Sequence, residues 1–255
     1  MQIAQYFTTI LVNLTDWTGN LGIAIIVFTV VARIALLPLT IPSLKAGKKM
    51  RDVQPELKKL KQKHGKDKQS LQKAQLELYK KYNINPLAGC LPQLLQIGLL
   101  IVMYQALVSF LKMPVDESAM GGVQFLWFDL RHPDTLHILP VVAAVSQLFL
   151  SLMIAPGAEK EDLVPNTSKN KKIQEANKKE EDVADMAASM QQQMLFVMPV
   201  MTGIIALQFP AGLGVYWVVS TVFSIAQQYY ISGWGGLVVY TTRAANWLRG
   251  TQKNQ

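Results

Sequence analysis

Cysteine is nearly absent from this 255-residue chain: Cys90 stands alone, so no internal disulfide can form. Histidine is scarce as well, and His64, His132 and His137 are scattered where a metal site would need several ligands gathered together. No metal, no cofactor and no catalytic constellation is therefore expected. No Gly-rich nucleotide loop of the P-loop type is present. Residues 1–14 carry neither a basic n-region nor a small-residue cleavage site, so this stretch is expected to stay on the mature protein. Charge is also sparse, at 16% of residues against 50% apolar, with a mean hydropathy of +0.19. That balance excludes an ordinary water-soluble enzyme.

What is present falls into long apolar blocks: residues 21–39, 87–111, 136–155, 194–209 and 213–231. Each is near the length that crosses a hydrocarbon core of about 30 Å as helix. The pattern predicts an all-α integral membrane protein of five transmembrane helices in one membrane domain, residues 1–255. Ahead of the first block, Ile3, Tyr6, Phe7, Ile10, Leu11 and Leu14 line one face of a helix over 1–15 that is too short to cross. It is expected to lie in the membrane interface. Pro38 and Pro42 are read as ending the first span. Only Pro210, Ala211 and Gly212 separate the last two spans, which predicts an antiparallel hairpin.

Charge bias orients the whole. Residues 43–86 hold thirteen Lys or Arg against four acids, whereas residues 1–20 hold one acid and no base. The basic loop is therefore assigned to the cytoplasm, with the N-terminus outside and the loop 156–193 and basic tail 232–255 inside. Within the basic loop, Met50, Val53, Leu57 and Leu60, then Leu71, Ala74, Leu78 and Tyr82, recur at helical spacing. They predict an αα-hairpin over 50–82, with Gly65 capping one helix and Asp67 starting the next.

The costly residue is Arg33. It lies about 18 Å from the outer end of its span and about 9 Å from the inner end. A central arginine costs about 2.5–3.5 kcal/mol on insertion scales, and none of the five blocks contains an Asp or Glu to pair with it. A wet cavity would keep the guanidinium solvated, and other spans offer polar walls for one. Trp217, Ser220, Ser224 and Gln228 form a stripe on the last span, Thr29 stands one turn from Arg33, and Gln147 and Ser151 are spaced i, i+4. Gln93 and Gln96 add a pair on the second span. The candidate groove residues are Thr29, Arg33, Gln147, Ser151, Trp217, Ser220 and Ser224.

Several motifs in order then carry a resemblance. They are Phe28 to Arg33 with Leu37-Pro38-Leu39-Thr40, Lys48-Lys49-Met50, Gln54-Pro55-Glu56-Leu57, Leu78-Tyr79, Asn85 to Pro92, and Phe209 to Leu213 before Tyr216-Trp217. Over residues 14–230 the chain resembles the Oxa1/Alb3/YidC family of membrane protein insertases, in its short bacterial form. The resemblance implies five helices around a hydrophilic groove open to the cytoplasm and lipid, with Arg33 inside it and Trp217 at a client-contacting position. It implies a mobile cytoplasmic hairpin and a multi-pass place in the bacterial inner membrane. Nascent membrane proteins and the lipid bilayer are the implied partners, with the ribosome and the Sec translocon as further ones. Two positions depart from the family pattern: Gly98 where proline is usual, and Thr221 where asparagine is common. A solute transporter would also want an intramembrane arginine, but five spans give no even repeat pair. An intramembrane serine protease would need a base, and no histidine lies deep in a span. A structural assembly factor differs from an insertase only in whether clients pass through the groove.

Overall fold

Asn20 sets where the first long apolar helix begins. Its extended backbone lets the side-chain oxygen accept from the N–H groups of Gly22 and Ile23, 2.8 and 3.3 Å away, satisfying two donors that a helix start leaves open. In the computed structural model, described for residues 2–64, 68–85, 91–112, 122–155, 196–238 and 241, that helix is α2, Leu21–Ala35. Before it comes α1, Gln2–Thr18, and after it α3, Leu37–Asp52. Then follow α4, Gln54–His64; α5, Lys68–Lys81; and α6, Leu91–Leu111. A two-stranded antiparallel hairpin, β1 Gln124–Phe125 and β2 Phe128–Asp129, leads to α7, Ile138–Ile154. The order closes with α8, Phe196–Ala206, and α9, Ala211–Ser232. Some expectations lie outside the described residues: the cap at Gly65 and N-cap at Asp67, the motif residues Pro86 to Cys90, the loop 156–193 and most of the 232–255 tail.

The prolines act differently from the expectation that they end the helix. The chain breaks at Leu36, with α2 and α3 inclined by 67°, and then continues as helix through Pro42 to Asp52. Pro38 has no N–H to bond the carbonyl one turn back and its ring crowds that carbonyl, so α2 cannot run on. In the first turn of α3 the same missing donor costs nothing. By length and apolarity, α6 alone qualifies as a span among the described helices, and the bent α2–α3 pair makes a second. The apolar helices α7 and α8 are shorter, and α9 carries the polar stripe.

The longest helix among the described residues, α9, is central and packs against α2, α3, α6 and α7, while α1 lies against α2 and α6. The core joins Leu11, Ile25, Phe28, Met103, Leu107, Leu213 and the fully buried Tyr216. One face of α1 therefore covers the core, while Tyr6, Ile10 and Trp17 remain exposed.

The β-hairpin closes one end of this bundle. Leu130 and Phe128 are buried in the core, and backbone N–H groups of Ala211 and Gly212 donate to His132 and Leu130 carbonyls at 2.8 and 3.1 Å. Gly22 allows a close approach here, because a Cβ at that position would lie 2.3 and 2.4 Å from two Phe125 ring carbons. Asp134, buried, accepts from the Leu136 and Leu139 N–H groups and caps α7 at the same end. Beyond the opposite end, α4 and α5 form an antiparallel pair whose seam is Val53, Leu57, Leu78 and Ile84, flanked by Met50, Leu60, Tyr79 and Tyr82. Tyr82 Oη donates to Glu56 across that seam.

Candidate functional site

Arg33 leaves the last turn of α2 facing α9, since α2 presents Ile25, Phe28 and Thr29 inward while Val31 and Ile34 point out. The residue is buried, at 9% exposure. Nε donates to Ser220 Oγ at 2.9 Å, and Nη2 donates to both Ser220 Oγ and Gln96 Oε1. The Ser220 hydroxyl in turn donates to Gln96 Oε1 at 3.3 Å. One hydroxyl thus uses its lone pairs on the cation and its proton on the amide. Three helices, α2, α6 and α9, meet in this cluster.

The depth of the cluster follows from α9. Ser220 lies nine residues after Ala211 and twelve before Ser232, or about 14 and about 18 Å along the axis. Arg33 therefore sits far from both ends of that helix, and its donors point at neighbouring helices instead of along the bundle. No carboxylate reaches it among the described residues, and of its five N–H groups the pair on Nη1 is committed to no protein acceptor there.

The other expected groove residues are distributed unevenly. Ser220 is brought onto Arg33 directly. Thr29 is fully buried one turn away and returns its hydroxyl to Ile25 O at 2.6 Å. Ser224 does the same toward Ser220 O at 2.9 Å, and Trp217 packs half-buried against the core. Gln147 and Ser151 are half-buried on α7 and share no hydrogen bond with Arg33 among the described residues.

Gln96 is the partner missing from the expected set. With Gln93 it forms one expected polar wall on the second span but is not counted among the candidate groove residues, and nothing local says that α6 crosses the Arg33 level of α2. A second polar contact was also missed, the Gln227 Nε2 donor to Thr40 Oγ1 at 2.6 Å, which ties α9 to the first turn of α3. Its signal was available in retrospect: Gln227 follows Ser220 by seven residues and so repeats the same face of α9.

Comparison with known proteins gives one consistent answer. The family model described as "60Kd inner membrane protein" matches residues 13–235. A protein of Fusobacterium nucleatum named membrane protein insertase YidC is 36% identical over 231 residues, covering 90% of this chain and 95% of the relative. Membrane protein insertase YidC 2 of Bacillus anthracis is 37% identical over 238 residues, covering 90% of this chain and 80% of the relative. Membrane protein insertase MisCA of Bacillus subtilis is 35% identical, covering 84% and 71%. Among solved structures, an active YidC insertase resolved with its first transmembrane domain superimposes with a TM-score of 0.61 at 25% identity. The match covers 90% of this chain and 46% of that one, so the chain spans about half of the crystallised protein.

Proposed function

The chain belongs to the 60Kd inner membrane protein family, the family of the bacterial YidC insertases, and from that premise we propose a mechanism centred on Arg33. The family's role is non-catalytic, so the work is transfer between solvents and not bond chemistry. Clients are membrane proteins and the medium is lipid. The five apolar blocks cross the bilayer, with residues 1–15 in the interface, the N-terminus outside, and the 50–82 hairpin and basic tail in the cytoplasm. A groove lined by Thr29, Arg33, Gln147, Ser151, Trp217, Ser220 and Ser224 opens to the cytoplasm, and the β-hairpin end is its closed outer floor. The ribosome and the Sec translocon meet the protein on the basic cytoplasmic side.

The barrier to insertion is moving polar backbone and charge through hydrocarbon, several kcal/mol for each unsatisfied group. A client's short polar flank enters from the cytoplasm and is drawn to the uncommitted face of the Arg33 guanidinium. Its apolar segment leaves sideways into lipid, driven by partitioning. A carboxylate about 4 Å from the cation gains on the order of 4 kcal/mol at an effective dielectric near 20, before its own desolvation. The observation that supports this reading is the buried Arg33 held by two neutral acceptors, Ser220 and Gln96, with no acceptor for Nη1 among the described residues. A structural arginine would spend all its donors, and a carboxylate partner would cancel its charge.

The test is insertion of a single-span client with a short outer tail into liposomes holding the purified chain. Arg33→Ala should slow insertion about tenfold for an acidic tail and less for a neutral one, while Arg33→Lys keeps part of the activity. Equal rates for all three proteins with both tails would remove Arg33 from the mechanism.

A further inference from the structure

The turn of the β-hairpin is built from residues that do not suit a turn in water. Only two residues, Leu126 and Trp127, join β1 to β2. Leu126 adopts φ 56° while Trp127 does not have positive φ, the pattern of a hairpin turn that favours glycine at its first central position. A bulky apolar side chain is disfavoured in that conformation. Both side chains are nonetheless turned outward, 71% and 52% exposed, and residues 122–128 contain no charged group. Two-residue turns facing water draw on Asn, Asp and Gly.

The surface around this tip points to what covers it. Asn20 Nδ2 donates to Gln124 O at 2.9 Å, fastening β1 to the junction of α1 and α2, where Trp17 is also exposed. At the same end α7 begins with exposed Ile138 and Val141, so the tip continues the apolar outer surface of the helices. Trp at the end of a bundle is the mark of the layer between headgroups and acyl chains. A second protein is a poorer occupant. One Trp and one Leu offer a few hundred Å² at most, well below the roughly 800 Å² per partner of a stable interface.

We propose that Leu126 and Trp127 dip into the lipid interface on the hairpin side of the membrane and anchor the hairpin that closes that end of the bundle. The partner is the boundary between headgroups and acyl chains, and the claim rests on the chain spanning a bilayer, as proposed above, but not on the groove. Lipid contact removes the apolar tip from water, and the strain at Leu126 is kept because it aims that side chain away from the core.

Single-tryptophan proteins in phosphatidylcholine–phosphatidylglycerol vesicles test this. With Trp17, Trp217, Trp234 and Trp247 replaced by Phe, Trp127 emission should be blue-shifted and quenched more by lipids brominated near the ester end than near the methyl end. Emission at the position of solvent-exposed tryptophan, quenched by iodide and insensitive to brominated lipid, overturns the proposal. So does blue-shifted emission insensitive to both, which would mean a protein cover. Val145→Trp in a background lacking the five native tryptophans is the control for the spanning reading, because Val145 lies mid-way along α7 and is exposed. If methyl-end lipids fail to quench it, the placement in the bilayer fails, and not merely the tip. Should the Trp-replaced background not fold, Leu126→Cys with Cys90→Ser, carrying a nitrobenzoxadiazole label, reads the same depth with spin-labelled lipids.

Discussion

At the hairpin end, α2, α7 and α9 are joined by buried Leu130 and Phe128, by two backbone hydrogen bonds from Ala211 and Gly212, and by the Asp134 cap. At the other end buried Met153 and the ring contacts of Phe149 and Tyr229 with Trp234 pack α7 against the end of α9, and the side-chain hydrogen bonds there are polar ties between helices. Gln227 donates to Thr40, Arg51 Nη1 donates to Met153 O at 2.5 Å, and buried Gln228 Oε1 and Ser232 Oγ have no partner among the described residues. An orphan buried acceptor costs about 1–3 kcal/mol, which water can recover if it enters. One end is thus tightest when dry and the other is relieved by wetting. The cavity proposed above, open on a single side, would need such an asymmetry; a third orphan among the described residues, Tyr216 Oη, lies one turn from Ser220, between the two ends.

The sharpest way to break the comparison is to loosen the dry end. Leu130→Ala leaves a cavity beneath the hairpin and is expected to destabilise the protein by about 2–5 kcal/mol, read from thermal unfolding in detergent. Gly22→Leu drives a side chain into the Phe125 ring and should displace the hairpin, at about 1–3 kcal/mol or more. A loss below about 1 kcal/mol for both would mean that the hairpin rests on the bundle without sealing it.

At the wet end the same logic predicts a much smaller effect. A double-mutant cycle of Thr40→Val and Gln227→Leu should give a coupling near 0.6 kcal/mol, the average for interhelical hydrogen bonds in membranes. Insertion should survive both substitutions, because the contact closes nothing that a client must keep closed. A coupling above about 2 kcal/mol would make this end as rigid as the other and erase the distinction.

Much of this was legible from spacing. The polar stripe of α9 and the unpaired Arg33 were both readable, because a helix repeats its face every three or four residues and an arginine among apolar residues has few places to go. From that stripe it is Ser220 whose hydroxyl accepts from Arg33. Gln96 and Thr40 could not be assigned as partners, since both contacts depend on which helices cross at which height, and that is fixed by tertiary packing. The break at Leu36 shows the same limit. Pro38 and Pro42 marked a discontinuity, but whether the chain stops or restarts as helix depends on where each proline falls in the next turn. The β-hairpin left the weakest trace, because Phe125-Leu126-Trp127-Phe128 has no turn residue to announce it.

The smallest expected effect sharpens the hairpin end through an exposed ion pair. Arg131 lies beside Asp129 on β2, with Nη2 2.8 Å from Oδ2 and Nε 3.0 Å from Oδ1, and its own backbone N–H also donates to that carboxylate. Chiefly through the Arg131 side-chain bonds, against a small desolvation cost, the Asp129 carboxyl is held below its usual range. A carboxylate whose folded pKa is depressed adds stability above its unfolded value, about pH 3.9, and loses it as pH falls through the lower folded value. With Arg131 partly exposed, the contribution is well under about 1 kcal/mol. Amide exchange of residues 123–130 should therefore quicken as pH drops below about 4, after correction for the intrinsic rate, and Arg131→Gln should flatten that response while leaving the midpoint at pH 7 nearly unchanged. If the hairpin amides of Arg131→Gln and the parent respond identically to acid, the pair does not help to hold the hairpin, and the closure rests on Leu130 and Phe128 alone.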